Sequence, residues 1–447
     1  MKKIILGLAS LLMPAMLKAQ LPNPSTRALG MGEAYTSMAR GYESVFWNPA
    51  MLATEGNPDF SISLPHADLE FDSNIYSFSD FRRYANHYLS SADKQTLMNK
   101  LAPDSSLTVS TKFNASLFGF SAGNFAFEIG TSGQGDLSVN SDAMQLLLYG
   151  NAGQTGPGQF FTANGSKGHA WAATTAAASF ALPFYLQKNV LSVGITGKYT
   201  IGHFIGSAED LGSRINANPS FSATEEAQTV YTSYGGNCTS INFLKGGNCG
   251  GKAGAGIGAD LGAVLQMPDK EVTISAVIVN AINSMRWDKN RLIYERTDCE
   301  TARNSSGDFV KTCTDSTKLT TQSAINADSQ ARDFQSYLME NSGFSRLIRL
   351  GFAVKKGNLS IGNAMQLRLS NGLDEQPAAL ISAGLEYNIL GFLPIRVGSS
   401  WDFNNRKTIS VGAGLQVKGV SIDAAIESIS ESDYSGIKLG VGAGLIW

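Results

Sequence analysis

From residue 378 to the end of the chain, apolar and polar positions alternate strictly. Across 408–418, Ile409, Val411, Ala413, Leu415 and Val417 share one parity, and Ser410, Gly412, Gly414 and Gln416 the other. Lys418-Gly419 turns the chain, after which Val420, Ile422, Ala424 and Ile426 alternate with Ser421, Asp423 and Glu427. The final stretch sets Ile437, Leu439, Val441, Ala443, Leu445 and Trp447 against Lys438, Gly440, Gly442 and Gly444. A period of two is that of a β-strand, whose successive side chains leave opposite faces of the pleat. Strands of about ten residues, apolar on one face and glycine-lined or polar on the other, fit a transmembrane barrel. A soluble sandwich also alternates, so the connections must decide.

The same grammar predicts strands at 58–71, 106–122, 124–138, 169–184, 189–203, 252–267, 271–286, 345–356, 358–370, 378–389, 393–403, 407–418, 420–432 and 436–447. These are fourteen, an even number, as single-chain bacterial barrels have. Long connections at 72–105, 139–168, 204–251 and 287–344 alternate with tight ones at Gly123, 186–189, 268–270 and Gly357. Long outer loops opposite short periplasmic turns are the asymmetry of an outer-membrane barrel. The sequence therefore predicts an all-β chain, a 14-stranded antiparallel transmembrane barrel with both termini periplasmic. Trp401, Phe403, Trp287, Phe392 and Tyr387 fall near strand ends, where interfacial aromatics belong.

Bulk properties sharpen this. A net charge of -2 over 447 residues gives no basic footprint for nucleic acid. Mean hydropathy of -0.06 excludes a helical membrane protein but not a barrel, half of whose strand positions are polar. Residues 1–19 read as a signal peptide: Lys2 and Lys3, an apolar run over 4–17, and small Ala19 at the cleavage point. Export together with barrel grammar implies an outer-membrane address and contact with its lipid.

Residues 20–57 break the alternation. They contain Arg27-Ala28-Leu29-Gly30-Met31-Gly32-Glu33-Ala34 and, further on, Phe46-Trp47-Asn48-Pro49-Ala50. An Arg-x-x-Gly-Met-Gly-x-Ala run followed by Asn-Pro-Ala resembles the N-terminal signature of the long-chain fatty-acid transporter (FadL) superfamily. The Phe46-Trp47-Asn48-Pro49-Ala50 version is most similar to its PorV-like branch, associated with type IX secretion. The resemblance implies that 20–57 is a hatch inside the lumen of a barrel formed by 58–447. It also implies hatch roles for Arg27, Gly30, Gly32, Trp47, Asn48, Pro49 and Ala50. The sequence departs from the family at Arg40-Gly41, where acidic residues are common. Physical chemistry agrees with a packed irregular segment: Gly30, Gly32 and Gly41 permit close approach or positive φ, Pro49 biases Asn48 to extended backbone, and Asn48 can close an Asx turn.

Two long loops carry helical periodicity. Phe81, Tyr84, Ala85, Tyr88, Leu89 and Ala92 predict a helix over 80–92. Ala331, Phe334, Tyr337, Leu338 and Asn341 predict another over 329–341. Either helix can cap the barrel mouth. The resemblance implies in addition an apolar docking groove, with Phe81, Tyr84, Tyr88 and Leu89 as ligand-binding candidates.

Candidate chemistry is sparse. Cys238, Cys249, Cys299 and Cys313 lie in the two longest loops, and export favours local disulfides 238–249 and 299–313 over a metal site that lacks any C-x-x-C. Gly246–Ala253 approaches a phosphate-binding loop, but Ala253 replaces the magnesium-binding hydroxyl and a strand pattern follows, so nucleotide binding is rejected. His66, His87, His169 and His203 share no catalytic or metal-ligand spacing. A serine hydrolase on a barrel would need a Ser–His–acid cluster formed in three dimensions. Lumen-side Arg396, Asp402, Glu386, Lys438, Asp423 and Glu427, with Arg368 nearby, read as cross-strand pairs. The chain reads as no enzyme, with no cofactor or metal, and as a monomeric barrel. Three functions stay open: a passive conduit for apolar small molecules gated by the hatch, a PorV-like secretion accessory that binds cargo or a translocon, and a structural outer-membrane protein.

Overall fold

Every wall strand finds a neighbour on both sides, and the last closes on the first. The structure, a computed structural model, describes residues 25–84, 88–101, 105–150, 160–216, 222–232, 252–340, 342–370, 372–373, 378–403, 406–430 and 434–447. The wall strands are β1 (Phe60–Ser63 with His66–Ser73), β2 (Ser106–Ala122), β3 (Phe125–Asn140), β4 (Lys167–Leu186), β5 (Asn189–Asp210), β6 (Gly254–Met267) and β7 (Val272–Asn283). They continue as β8 (Leu347–Lys356), β9 (Leu359–Arg368), β10 (Ala379–Ile389), β11 (Leu393–Asp402), β12 (Lys407–Val417), β13 (Val420–Ser430) and β14 (Ser435–Ile446). Each pairs antiparallel with the next, and β14 meets β1 with Ser61 opposite Ile446 and Ala67 opposite Val441. Closure leaves no wall edge unpaired, the condition for crossing a bilayer with strands.

The fourteen predicted strands are the fourteen wall strands. The first is interrupted at Leu64-Pro65, because proline has no N–H to give to the ladder. Polarity is inverted relative to a soluble core. On β12, Thr408, Ser410, Gly412 and Gly414 are buried, whereas Ile409 is 70% and Val411 48% exposed. Arg396 is 0% and Arg349 1% exposed, so the charges are inside and the aliphatic side chains outside. Trp401, Phe403, Phe392 and Tyr387 are exposed, as a belt requires. Trp287 is not part of it: it is buried, and its Nε1 donates to the Ser342 carbonyl at 2.8 Å.

The long connections hold more structure than their sequence announces. β4 and β5 extend outward, and Ser222–Thr232, Leu292–Arg303 and Phe309–Leu319 add an outer sheet to β5. Those strands bury only a few apolar side chains, Val230, Leu292 and Tyr294 among them, so no sustained apolar alternation marks them. Cys299 lies opposite Cys313 and bonds to it. Cys238 and Cys249 lie outside the described residues. The predicted helix over 329–341 is present as Ser329–Glu340, burying Ala331, Phe334 and Leu338 against Trp171, Ile205 and Trp287, with Tyr337 outside. The predicted helix over 80–92 is instead two, Phe78–Tyr84 and Ser91–Lys100. A capping box starts the second: Ser90 Oγ accepts from the Asp93 N–H and the Asp93 carboxylate from the Ser90 N–H. Tyr84 thus ends one helix, Tyr88 stands 96% exposed between the two, and Leu89 is half-buried beside it. Ala85 and His87 lie outside the described residues.

Two outcomes follow from this architecture. Val411→Arg, at mid-strand on the outer face, should destabilise the barrel by about 2–4 kcal/mol in urea-driven unfolding from vesicles. An unchanged midpoint would contradict a lipid-facing assignment. In the outer sheet, Arg296 joins Asp315 at 2.6 Å to Asp328 at 3.4 Å. Hydrogen bonds from Thr317 and Arg296 hold the Asp315 carboxyl below its ordinary value of 3.8. A depressed carboxylate stabilises fully above its unfolded value and loses this as pH falls through the folded one. Hydrogen exchange in 309–319 should therefore stay constant down to about pH 4, after correction for intrinsic rates, and accelerate only below it.

Candidate functional site

Residues 25–54 are almost wholly buried and lie within the ring of strands. Local sequence sets their path. Ser25 caps the helix Thr26–Gly30, with its Oγ accepting from the Ala28 N–H at 3.2 Å. Gly32 at φ +60° then reverses the chain. Asn48 is extended, its Oδ1 accepts from the Ala50 N–H at 3.1 Å, and Pro49 opens the 3-10 turn Pro49–Ala53. This is the Asx turn that Asn-Pro-Ala predicts.

The wall receives the segment through glycine. An added Cβ at Gly398 would fall on the Met31 carbonyl carbon, at Gly384 on the Met31 oxygen, and at Gly362 on the Ala34 oxygen. Gly194 and Gly262 take the backbone and side chain of 48–50, and Gly412 takes Gly30. Contacts with β5, β6, β9, β10, β11 and β12 place the segment across the lumen rather than against one side. On the remaining wall, Leu29 and Thr26 meet Gly440 and Gly442 of β14.

Charges tie the same segment down. Arg27 donates to both oxygens of Glu386 at 3.2 Å, and Arg396 joins Glu386 and Asp423, each at 2.6 Å. Glu43 accepts from Ser25 Oγ at 2.6 Å and from the Tyr35 hydroxyl at 2.5 Å. Glu33 meets Lys438 at 3.4 Å. Arg349 donates to the Phe46 carbonyl at 3.0 Å and lies 4.9 Å from the centre of the Trp47 ring, a cation–π contact. Trp47 in turn sets its edge to Tyr35, with centroids 5.5 Å apart.

All seven motif residues therefore touch the wall or shape the turn that does: Arg27 at Glu386, Gly30 at Gly412, Gly32 at Ser399, Trp47 at Arg349, Asn48 and Pro49 at Gly262, and Ala50 at Gly194. Sequence reasoning passed over Glu33, Glu43 and Arg349. Glu43 does supply, five residues before Asn48, an acidic partner in the stretch where Arg40-Gly41 suggested none. Arg349 sits at a position whose parity puts it inside, a signal available in the strand pattern of 347–356.

The interior is closed at one level and open at another. Between Phe46 and the outer Phe344, a cavity of about 10 Å³ leaves room for roughly one water. Lys198, Asp260 and Asn280 line it, with Lys198 Nζ 2.5 Å from Asp260 and 2.6 Å from Asn280, at a bulge where Asn280 has φ +55°. At the short-turn end, below the segment, a cavity of about 380 Å³ is lined by Arg27, Arg40, Lys355, Glu386 and Trp447 among others. The fold also brings Ser63 Oγ to 3.1 Å from His66 Nδ1, with Glu128 4.0 Å from Nε2. All three are at least 95% buried, and none is among the residues that line these two cavities.

A closed 14-stranded antiparallel barrel with charges inside and aliphatic side chains outside defines the class of outer-membrane β-barrels. The chain belongs to the family of unknown function DUF5723, whose model matches residues 49–423. A search of curated proteins finds no significant match. Among solved structures the chain is similar to the toluene transporter TodX of P. putida, at 13% identity and a TM-score of 0.51, over 96% of this chain and 99% of that one. It is similar also to the deltaS2 mutant of the TodX monoaromatic hydrocarbon channel, at 11% identity and a TM-score of 0.51, over 96% and 100%. At such identities the likeness is one of fold.

Gly398→Val should expel the segment from the wall, since backbone occupies the space its side chain needs. Limited proteolysis should then cut within 25–57, while Gly197→Ala, whose Cβ meets nothing within 4 Å, stays protected. Equal protection of both would mean that the segment does not depend on this contact.

Proposed function

We propose that the protein is an outer-membrane conduit for apolar small molecules, with residues 20–57 acting as its hatch. The observation that carries this reading is a chain of buried apolar groups through an otherwise polar lumen. The outer cluster of Trp171, Trp287, Phe334 and Leu338 reaches Phe344. Phe344 faces Phe46 across the small cavity, and Phe46 packs with Val45 and Leu52. Next comes the cluster of Met31, Tyr35, Met38, Trp47 and Met51, whose unbranched thioethers repack readily around varied apolar guests. The chain belongs largely to the segment itself, so a shift of the segment would open the path that its side chains mark. TodX, the fold relative, is a monoaromatic hydrocarbon channel, which agrees with this substrate class.

In this reading, residues 1–19 direct export and both termini lie in the periplasm. The long connections are the outer loops, and the barrel works as a monomer without catalysis. A second reading, a PorV-like secretion accessory, draws support from the outer sheet. Its strand Phe309–Leu319 is largely exposed and is braced to Leu292–Arg303 by the Cys299–Cys313 bond, a stiff surface for a protein partner. Retention of a large protein partner through gentle extraction would favour it.

The hatch is tested by joining it to the wall. In Asn48→Cys/Gly262→Cys, oxidation should slow uptake of a toluene-sized hydrocarbon at least about tenfold, and dithiothreitol should restore it while leaving the parent protein unaffected. Rapid uptake through the oxidised, tethered barrel would refute hatch gating.

A further inference from the structure

The cavity of about 380 Å³ at the short-turn end has a charge pattern that the conduit does not use. Among its lining side chains Arg27, Arg40 and Lys355 are cationic and only Glu386 is acidic. That carboxylate is already taken by Arg27 and Arg396. The acids behind it are also committed, Glu43 to Ser25 and Tyr35 and Asp423 to Arg396. Among the described residues, neither Arg40 nor Lys355 has a carboxylate partner. Arg40 donates to the Glu55 carbonyl at 3.2 Å. Arg27 Nε is buried without a hydrogen-bond acceptor, although the residue lines the cavity. Two cations thus line one space with no carboxylate bound to either, and the one acidic side chain beside them is already engaged by Arg27 and Arg396.

We propose that this vestibule is a binding site for a small multivalent oxyanion, a phosphate or a polycarboxylate. Guanidinium forks match the paired oxygens of both groups, and a lysine adds a point charge. Ser37, Asn358, Asn388 and Gln416 supply neutral donors around the same space. Burial, followed by the Arg27 guanidinium, holds the Arg40 guanidinium below its usual value, against the opposing pull of Tyr35 and Glu386. Pockets of this size hold small organic ligands, and the opening faces the short turns rather than the loops. The site stands on this geometry alone and does not depend on hatch gating.

The test is calorimetric titration of the folded full-length barrel with inorganic phosphate and with citrate at low ionic strength, where exposed charges are least screened. Saturable one-to-one binding is expected, weakened at least about tenfold in Arg40→Gln and in Lys355→Gln. Lys188→Gln, an exposed short-turn lysine paired with Asp269 away from the cavity, should bind as the parent does. Absence of saturable binding to the parent, or equal affinity in Arg40→Gln and Lys355→Gln, would overturn the proposal. Repeating the titration in zwitterionic and anionic nanodiscs separates the two sources of such an anion. A lipid headgroup occupying the site would abolish phosphate binding in anionic discs, and a free anion would bind in both.

Discussion

A guanidinium that no water reaches must be held by acids, and Arg396 is the case around which this interior is arranged. It has no exposed surface and sits between Glu386 and Asp423, each at 2.6 Å. Glu386 is shared with Arg27, so wall and N-terminal segment complete one charge network. Removing any member would strand a buried charge, at a cost of about 3–5 kcal/mol. Here the wall alone is incomplete: Arg396 by itself faces two acids, and Arg27 of the segment supplies the second positive charge. Lys438 on another strand likewise joins the two, pairing with Glu33 of the segment at 3.4 Å and with Asp68 of the wall at 3.6 Å.

Packing reinforces the electrostatics by a different route. Glycines on at least six strands let segment backbone lie directly on wall backbone, where any side chain would hold the two apart. Contact of this kind has little apolar area and so little hydrophobic drive, but it fixes position closely. Arg349 shows how the two combine, with one guanidinium bonding the Phe46 carbonyl and lying over Trp47. Apolar contact adds to this hold: Met31, Tyr35, Met38, Trp47 and Met51 share one buried cluster, and Val45, Phe46 and Leu52 another.

The outer half follows other rules. Strands continue past the wall, where only a few of their side chains, Val230, Leu292 and Tyr294 among them, enter a core, and sustained apolar alternation vanishes from their sequence. Stability there comes from the Trp171, Trp287 and Phe334 core, from the Arg296 pairs and from the Cys299–Cys313 bond. The helix expected over 80–92 failed for a local reason. Its apolar spacing ran across Ser90-x-x-Asp93, and the capping box started a new helix inside the pattern.

By itself the sequence determined the wall: fourteen strands, their order, which parity faces out and which connections are long. Each of these depends on the two-residue period and on turn chemistry, which are local properties of the chain. It also determined the Asn48 turn and the positive φ at Gly32, because both arise within a few residues. Tertiary structure alone decided what the inner face meets. That Glu386 serves Arg27 across 359 positions, that Gly398 accepts Met31, and that Ser63, His66 and Glu128 meet could not be read from spacing. Barrel closure brings residues distant in sequence to one interior, and the identity of a buried charge's partner is set by that geometry rather than by neighbours along the chain.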